Sequence, residues 1–446
     1  MKRIFSRWLI LKITVLITLY FWDVALSSSV NSSSRQVLRS EHISPISYRI
    51  NNDLSDIPEF EHLESAMSYI MRRYDIKGAS VAVAKDGKLV FARGMGFADI
   101  DSGEPVEPRH MFRMASISKL ITATTIMRMQ ELELLDLDDR VFGPDGILND
   151  SVYLDYRDPR VTRITVRNLL DHSAGWSRRF GDHMFMPHTV ARTLQIDLPV
   201  QAPDIIRFAL DKRLHYNPGS GSSYSNLGYA ILGEVIAKVS GRSYEDYVRE
   251  TILYPIGIHD MRLGKNFKAG RFDNEVEYYE QSNASDVMSF YDPDKTVPLS
   301  YGGNDIETLG AAGGWIGSPA ELLKFVTAID NNSMFYRILS DESIEEMTKI
   351  SRPGGQPLGW ARTDRFGNWW RTGTFAGTFA LVRRQSNGIT WSVLFNSSTY
   401  KGTTLSGEIN YLMRNALNKV ENWPDHDLFH YHETIPFLHP EIAELN

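Results

Sequence analysis

The chain predicts an α+β fold: an antiparallel sheet assembled from strands near both ends, flanked by helices, with a mostly helical subdomain drawn from the middle of the chain. Three features lead there. A pair of short apolar runs joined by a tight-turn dipeptide lies near each end, an amphipathic helical period accompanies each pair, and the region between, roughly 110–330, reads as helices and loops.

In chain order, residues 60–74 come first, with Phe60, Leu63, Met67, Ile70, Met71 and Tyr74 on one face at helical spacing. Residues 79–84 and 89–97 are apolar runs joined through Asp86-Gly87, a dipeptide that supplies the positive dihedrals of a two-residue hairpin. Helical patterns then cover 116–135, 205–210, 227–239 and 319–328. Residues 379–383 and 389–395 flank Asn387-Gly388, a second hairpin signal of the same kind, and 405–420 is again helical in period. No internal repeat is present. The segment 176–189, with Trp176, Phe180, Met184, Phe185 and Met186, is rich in aromatics and methionine; it is expected to pack onto the domain beneath it, with cleft lining the alternative.

Composition narrows the function. Hydrophobic residues at 42% and charged residues at 23% are ordinary globular usage, which excludes a disordered or collagen-like chain. With 48 Lys+Arg against 55 Asp+Glu, and no basic run beyond the extreme N-terminus, no nucleic-acid partner is expected. Cysteine is absent, so disulfides, thiol catalysis and a lipid-modified cysteine are excluded. Lys2, Arg3 and Arg7 precede an apolar stretch, 8–26, broken by Lys12 and Asp23. Its uninterrupted part, 13–22, is short against the about 20 residues of a spanning helix. Residues 1–27 therefore read as a signal peptide, with an uncleaved signal anchor as the alternative, and the protein as exported: periplasmic or extracellular, or tethered to the membrane by that segment. Residues 28–54 read as a linker, 55–420 as the folded domain and 421–446 as a tail.

Ser116-Ile117-Ser118-Lys119 opens a helical run, so Ser116 sits near a helix N-terminus with Lys119 one turn on, on the same face. A desolvated lysine there can accept the serine proton, and the helix end favours developing negative charge. Ser and Lys are common enough for this spacing to arise by chance, and it does so again at Ser398 and Lys401, after a strand and without a helix pattern. Taken alone, Ser116 reads first as a helix cap with a solvated Lys119 one turn on. Two further motifs decide the matter: Tyr224-Ser225-Asn226, where polar turn residues feed a helix, and Arg371-Thr372-Gly373-Thr374, just before the second hairpin.

In this order the three motifs resemble those of the serine beta-lactamase and penicillin-binding-protein superfamily, in its class C and esterase or D-aminopeptidase/carboxypeptidase branch. Leu169-Leu170-Asp171-His172-Ser173-Ala174-Gly175 and Ala312-Gly313-Gly314-Trp315 are similar to further family segments. The resemblance covers about 55–420 and implies the beta-lactamase/transpeptidase-like fold. It also implies Ser116 as nucleophile, Lys119 and Tyr224 sharing acid and base work, and Asn226 orienting substrate and lysine. Arg371, Thr372, Gly373 and Thr374 would bind substrate, with the amides of Ser116 and Thr374 as the oxyanion hole. No metal or other cofactor is implied. The departure from the family is Arg371, where Lys or His is commoner: a guanidinium keeps its charge and offers a carboxylate a fork of two hydrogen bonds, but relays protons poorly.

The G-x-S-x-G, H-E-x-x-H and Walker motifs are absent. His426, His430, His432 and His439 crowd the tail, where the expected reading is an aromatic-rich segment packed on the body, with a metal site as the alternative. The expected activity is an exported serine hydrolase cleaving an ester, amide or D-amino-acid peptide bond through an acyl-enzyme, with a small-molecule, peptide or acyl substrate that carries a carboxylate near Arg371. Acyl transfer to a hydroxyl or amine, and a non-catalytic penicillin-binding or sensor module, are the alternatives.

Overall fold

Seven strands form the main sheet: β1 (Gly78–Lys85), β2 (Lys88–Asp99), β3 (Glu104–Pro105), β4 (Arg362–Thr363), β5 (Trp369–Phe375), β6 (Thr378–Arg384) and β7 (Ile389–Phe395). The computed structural model describes residues 50–330, 337–350 and 355–431. The predicted signal segment lies outside the described residues.

The strand order is β3-β2-β1-β7-β6-β5-β4, antiparallel throughout, so the hairpins from the two ends of the chain meet at β1 and β7. Their register runs from Ala79 opposite Phe395 to Lys85 opposite Ile389. The two turns differ. Asp86 and Gly87 are both left-handed, at φ +50° and +82°, as a two-residue hairpin of matching twist requires. At the second hairpin Gln385 N–H donates to the Ile389 carbonyl, and only Gly388 has positive φ, at +82°. That is a longer turn closing on a glycine bulge, in which Asn387 does not take the left-handed role that the Asn-Gly signal predicted.

Alternation along the strands splits the core between two faces. Val81, Val83, Trp391 and Val393 face α1 (Glu61–Tyr74) and α6 (Leu405–Leu417), where Leu63, Met67, Ile70, Ile409 and Met413 bury. Met71, predicted on the same stripe, is only partly buried at its edge. The opposite face offers small side chains, Ala82, Ala84 and Ser392, and α5 (Pro319–Ala328) packs closely there. Beyond it lie α2 (Ser118–Glu131), α3 (Asn226–Ser240) and α4 (Ile306–Gly313), which pack on one another. Residues 118–127, the first ten of α2, are all buried, because neighbours enclose that part of the helix on every side.

The folded region extends past the limits read from sequence. Residues 50–54, assigned to the linker, belong to it: Ile50 is buried, and Asn52 accepts from Gly94 N–H at 2.7 Å and donates to the Val106 carbonyl at 2.9 Å. Asp427 accepts from Leu89 N–H at 2.9 Å, and Leu428 and Phe429 are buried. With Ser55 Oγ accepting from Ala92 N–H at 2.9 Å, side chains from both ends of the domain cover the outer edge of β2.

The seam between sheet and helices is tightest at Gly373. A Cβ there would lie 2.1 Å from the Met114 carbonyl oxygen and 3.0 Å from Ser116 N. Gly373→Ala is expected to force β5 away from the Ser116 turn, costing about 1–3 kcal/mol of stability and most of any Ser116-dependent activity; urea unfolding and an esterase assay on one preparation check both.

Candidate active site

Ser116 is presented by a strained corner. The chain leaves the short strand Phe112–Arg113, turns through Ala115 at φ +48° and enters a 3-10 turn, Ala115–Ile117, before α2 begins at Ser118. A left-handed alanine costs about 1 kcal/mol, so the surroundings must enforce it. They do so on both sides: Met114 N–H donates to the Trp315 carbonyl at 2.9 Å, and Arg371 Nε donates to the Ser116 carbonyl at 2.8 Å. Ser116 Oγ lies 2.6 Å from the Tyr224 hydroxyl and 3.4 Å from Lys119 Nζ, so it is not a helix cap.

Lys119, one turn on, is fully buried. Its ammonium donates to Asn226 Oδ1 at 2.6 Å and to the Ala312 carbonyl. Ala312 belongs to the last turn of α4, whose carbonyls lack intrahelical partners; Thr122, also on α2, satisfies the neighbouring Ala311 carbonyl at 2.7 Å. Burial, with Arg371 adding to it, pulls the Lys119 pKa down to about 8 against the opposing pull of Tyr224 and Asp182. Burial pushes the Tyr224 phenol up, but the Lys119 and Arg371 charges outweigh it and the net direction is down.

Tyr224 and Asn226 straddle the N-terminus of α3, where Ser225 caps by accepting from Gly228 N–H at 3.0 Å. His172, buried and left-handed at φ +62°, accepts the Ser225 N–H on Nδ1 at 3.2 Å and lays its ring 4.8 Å from that of Tyr224. Burial and the charges of Arg371 and Lys119 hold His172 well below its usual pKa, so it supports Tyr224 as a neutral imidazole. Asn226 Nδ2 donates to Asp182 Oδ2 at 2.7 Å.

These groups open into a cavity of about 290 Å³ whose walls include Ser116, Arg178, Phe185, Tyr224, Thr372 and Phe375. Asn226, Arg371 and Thr374 also line it, whereas Gly373 does not: its part is to let β5 approach Ser116. Arg371 differs from expectation. It is 2% exposed and its Nε is committed to the Ser116 carbonyl, so its side-on pair of donors is not free for a carboxylate; Nη2 is buried without a hydrogen-bond partner among the described residues.

The 176–189 segment divides between packing and lining. Trp176 and Met184 are buried in the core, while Arg178 and Phe185 reach the cavity. Asp182 and Arg178 are the site residues that sequence reasoning missed. Asp182 carries only the local signal of a turn cap, accepting from Met184 N–H at 3.1 Å, and stands 44 positions from the amide it holds. Ser398 of the second Ser-x-x-Lys accepts from Gly377 N–H at 2.6 Å and lies in the loop after β7. In the tail, His426 Nε2 lies 3.0 Å from the Val90 carbonyl, whereas His432 and His439 lie outside the described residues.

The sequence pattern that defines the beta-lactamase family matches residues 63–409, which include every residue of this constellation. The chain belongs to the beta-lactamase family. Penicillin-binding protein 4* of Bacillus subtilis (strain 168) is 25% identical over 245 residues, 54% of this chain and 49% of that protein. The chain thus spans about half the length of the curated relatives it matches. Among solved structures, the octameric penicillin-binding protein homologue from Pyrococcus abyssi superposes with a TM-score of 0.60 at 25% identity, over 81% of this chain and 79% of that one. The D-amino acid amidase from Ochrobactrum anthropi SV3, complexed with D-phenylalanine, gives 0.63 at 22% identity, over 82% of this chain and 99% of that one, a likeness of fold.

Within this beta-lactamase-family site, Arg371→Gln removes a cation that disfavours protonated Lys119. The Lys119 pKa is therefore expected to rise from about 8, read by carbon NMR titration of its ε-methylene; an unchanged value would show that Arg371 does not tune the lysine.

Proposed function

We propose that this chain is a serine hydrolase that forms an acyl-enzyme on Ser116 and cleaves an ester, an amide or a D-amino-acid peptide bond. One observation carries the reading: the Ser116 hydroxyl stands 2.6 Å from the Tyr224 oxygen, backed by a fully buried lysine whose pKa lies at about 8. A hydroxyl so placed can lose its proton as it attacks.

In the reaction, Ser116 Oγ bonds to the substrate carbonyl carbon while its proton passes to the Tyr224 and Lys119 pair. The carbonyl oxygen gathers negative charge against the amides of Ser116 and Thr374, the oxyanion pair implied by the family resemblance and supported by the close approach of Gly373 to Ser116 N. Collapse breaks the bond to the leaving group, which takes the proton back through Tyr224. Water then repeats the sequence on the acyl-enzyme and frees Ser116.

Arg371, with one unpartnered buried nitrogen, and the exposed Arg178 support a substrate that carries a carboxylate. The D-amino acid amidase that shares the fold supports a small acyl or aminoacyl substrate. The composition of residues 1–27 supports an exported protein, periplasmic or extracellular, or held at the membrane by that segment.

Exposed to an activated short-chain acyl ester, the purified protein is expected to gain and then lose one acyl mass by intact-mass spectrometry, and Ser116→Ala never to gain it. kcat/KM should rise with pH through about 8, because the base is the deprotonated form of the Lys119 and Tyr224 pair. The absence of both an adduct and turnover across a panel of esters and aminoacyl amides would sink the reading.

A further inference from the structure

We propose that Asp182 is a positioning residue: by fixing which way round the Asn226 amide sits, it aims the lone pair of Lys119 at Ser116. The inference rests on the acyl-enzyme reading above and adds to it a residue from outside its three motifs.

The argument is a count of donors and acceptors. Asp182 Oδ2 faces one end of the Asn226 amide at 2.7 Å, and a carboxylate can only accept, so that end must be the NH2. The other end, 2.6 Å from Lys119 Nζ, is then the oxygen, which can only accept as well. The Ala312 carbonyl is a second acceptor on Nζ. A neutral lysine has two N–H bonds and one lone pair. With both N–H groups committed to acceptors, the lone pair is left for the third neighbour, Ser116 Oγ, at 3.4 Å. Were the Asn226 amide reversed, its NH2 would compete for that lone pair, and the amine would be turned away from the serine.

Asp182 itself has no freedom to reverse. Its Oδ1 accepts from the backbone N–H of Met184 at 3.1 Å, a group that can only donate. That contact makes the isosteric variant informative. In Asp182→Asn the side-chain oxygen stays on Met184 N–H, so the NH2 faces Asn226; Asn226 must answer with its oxygen and turn its own NH2 to Lys119. The same side chains stay in contact with the polarity of the chain inverted.

The test is a two-by-two set, Asp182→Asn, Asn226→Asp, both together and the wild type, with Ser116→Ala as control, in pH-rate profiles of ester hydrolysis by the full chain. Asp182→Asn is expected to lower kcat/KM by about tenfold or more, within the range a general base contributes. Asn226→Asp, which sets two carboxylates face to face, is expected to fall as well. In the double variant the new amide at position 182 donates to the new carboxylate at position 226, which can again only accept from Lys119, so activity recovers above both single variants. Its acidic limb moves to higher pH, because a carboxylate beside Lys119 favours the ammonium. An Asp182 that merely braces its loop gives neither recovery nor shift.

Wild-type kcat/KM and pH profile in Asp182→Asn overturn the inference, as does a double variant no better than the worse single one. The double variant keeps the test decisive if one single variant folds poorly. Ser116→Ala separates the two levels: full activity in that control overturns the acyl-enzyme reading itself, whereas an inactive control beside an unaffected Asp182→Asn overturns only the role of Asp182.

Discussion

A lysine side chain closed off from water sets the terms for the rest of the site. Burying Lys119 without partners would cost several kcal/mol, and the structure meets that cost in two ways. It supplies acceptors from two separate helices, Asn226 at the start of α3 and the Ala312 carbonyl at the end of α4, and it lowers the affinity of the amine for its proton. The same contacts that satisfy the lysine therefore tie α2, α3 and α4 together. Packing in the helical subdomain and the setting of the proposed base are one arrangement, since helix ends are where unpaired carbonyls and exposed amide ends are available.

Ser116, the proposed nucleophile, is held by the other half of the molecule. Ala115 stays left-handed because the chain on either side is pinned, by Trp315 to Met114 and by Arg371 to Ser116 itself. Arg371 reaches Ser116 only because β5 lies against the turn, and β5 lies there only because residue 373 has no side chain. Sheet and helices thus each contribute one constraint on Ser116, its carbonyl held from β5 and its hydroxyl from α3. Strain at such a corner persists where the surroundings over-determine it.

The legible parts of the sequence were those where a local signal and the tertiary demand coincide. Asp86-Gly87 names its turn because both left-handed positions are spelled out, and Phe60 to Tyr74 shows its buried stripe because a helix lying on a sheet is wet on one side. Ser116, Lys119, Tyr224 and Asn226 lie far apart in the chain and were brought together by the resemblance, not by their spacing. The structure then adds distances. What stayed hidden was relational. Asp182 looks like a turn cap, and is one; its second oxygen serves the site, and no local pattern records a second oxygen. Arg371 was read for its free charge, whereas its Nε is spent on a backbone carbonyl, a contact that depends on the register of β5 against a turn more than 250 residues away. Asn387 misled for the opposite reason: the dipeptide is right, but pairing extends to Gln385 and Ile389 and moves the left-handed position onto glycine alone.

In the proposed reaction, the placement of charge also bears on where the serine proton goes. Three basic side chains among the described residues surround Tyr224: Lys119 at 4.9 Å, Arg178 at 5.6 Å and Arg371 at 5.7 Å from its ring centroid. The nearby carboxylate, Asp182, is separated from the phenol by the Asn226 amide it binds. Such surroundings favour negative charge on the phenol oxygen, and Arg371 opposes positive charge on Lys119. The distances agree, with 2.6 Å from Ser116 Oγ to the phenol and 3.4 Å to the amine. Tyr224 is then the group that exchanges the proton with Ser116 and with the leaving group. Lys119 shares that work as a neutral amine whose lone pair is directed at Ser116 Oγ, the part a lysine can play only while α3 and α4 keep it dry and pointed forward.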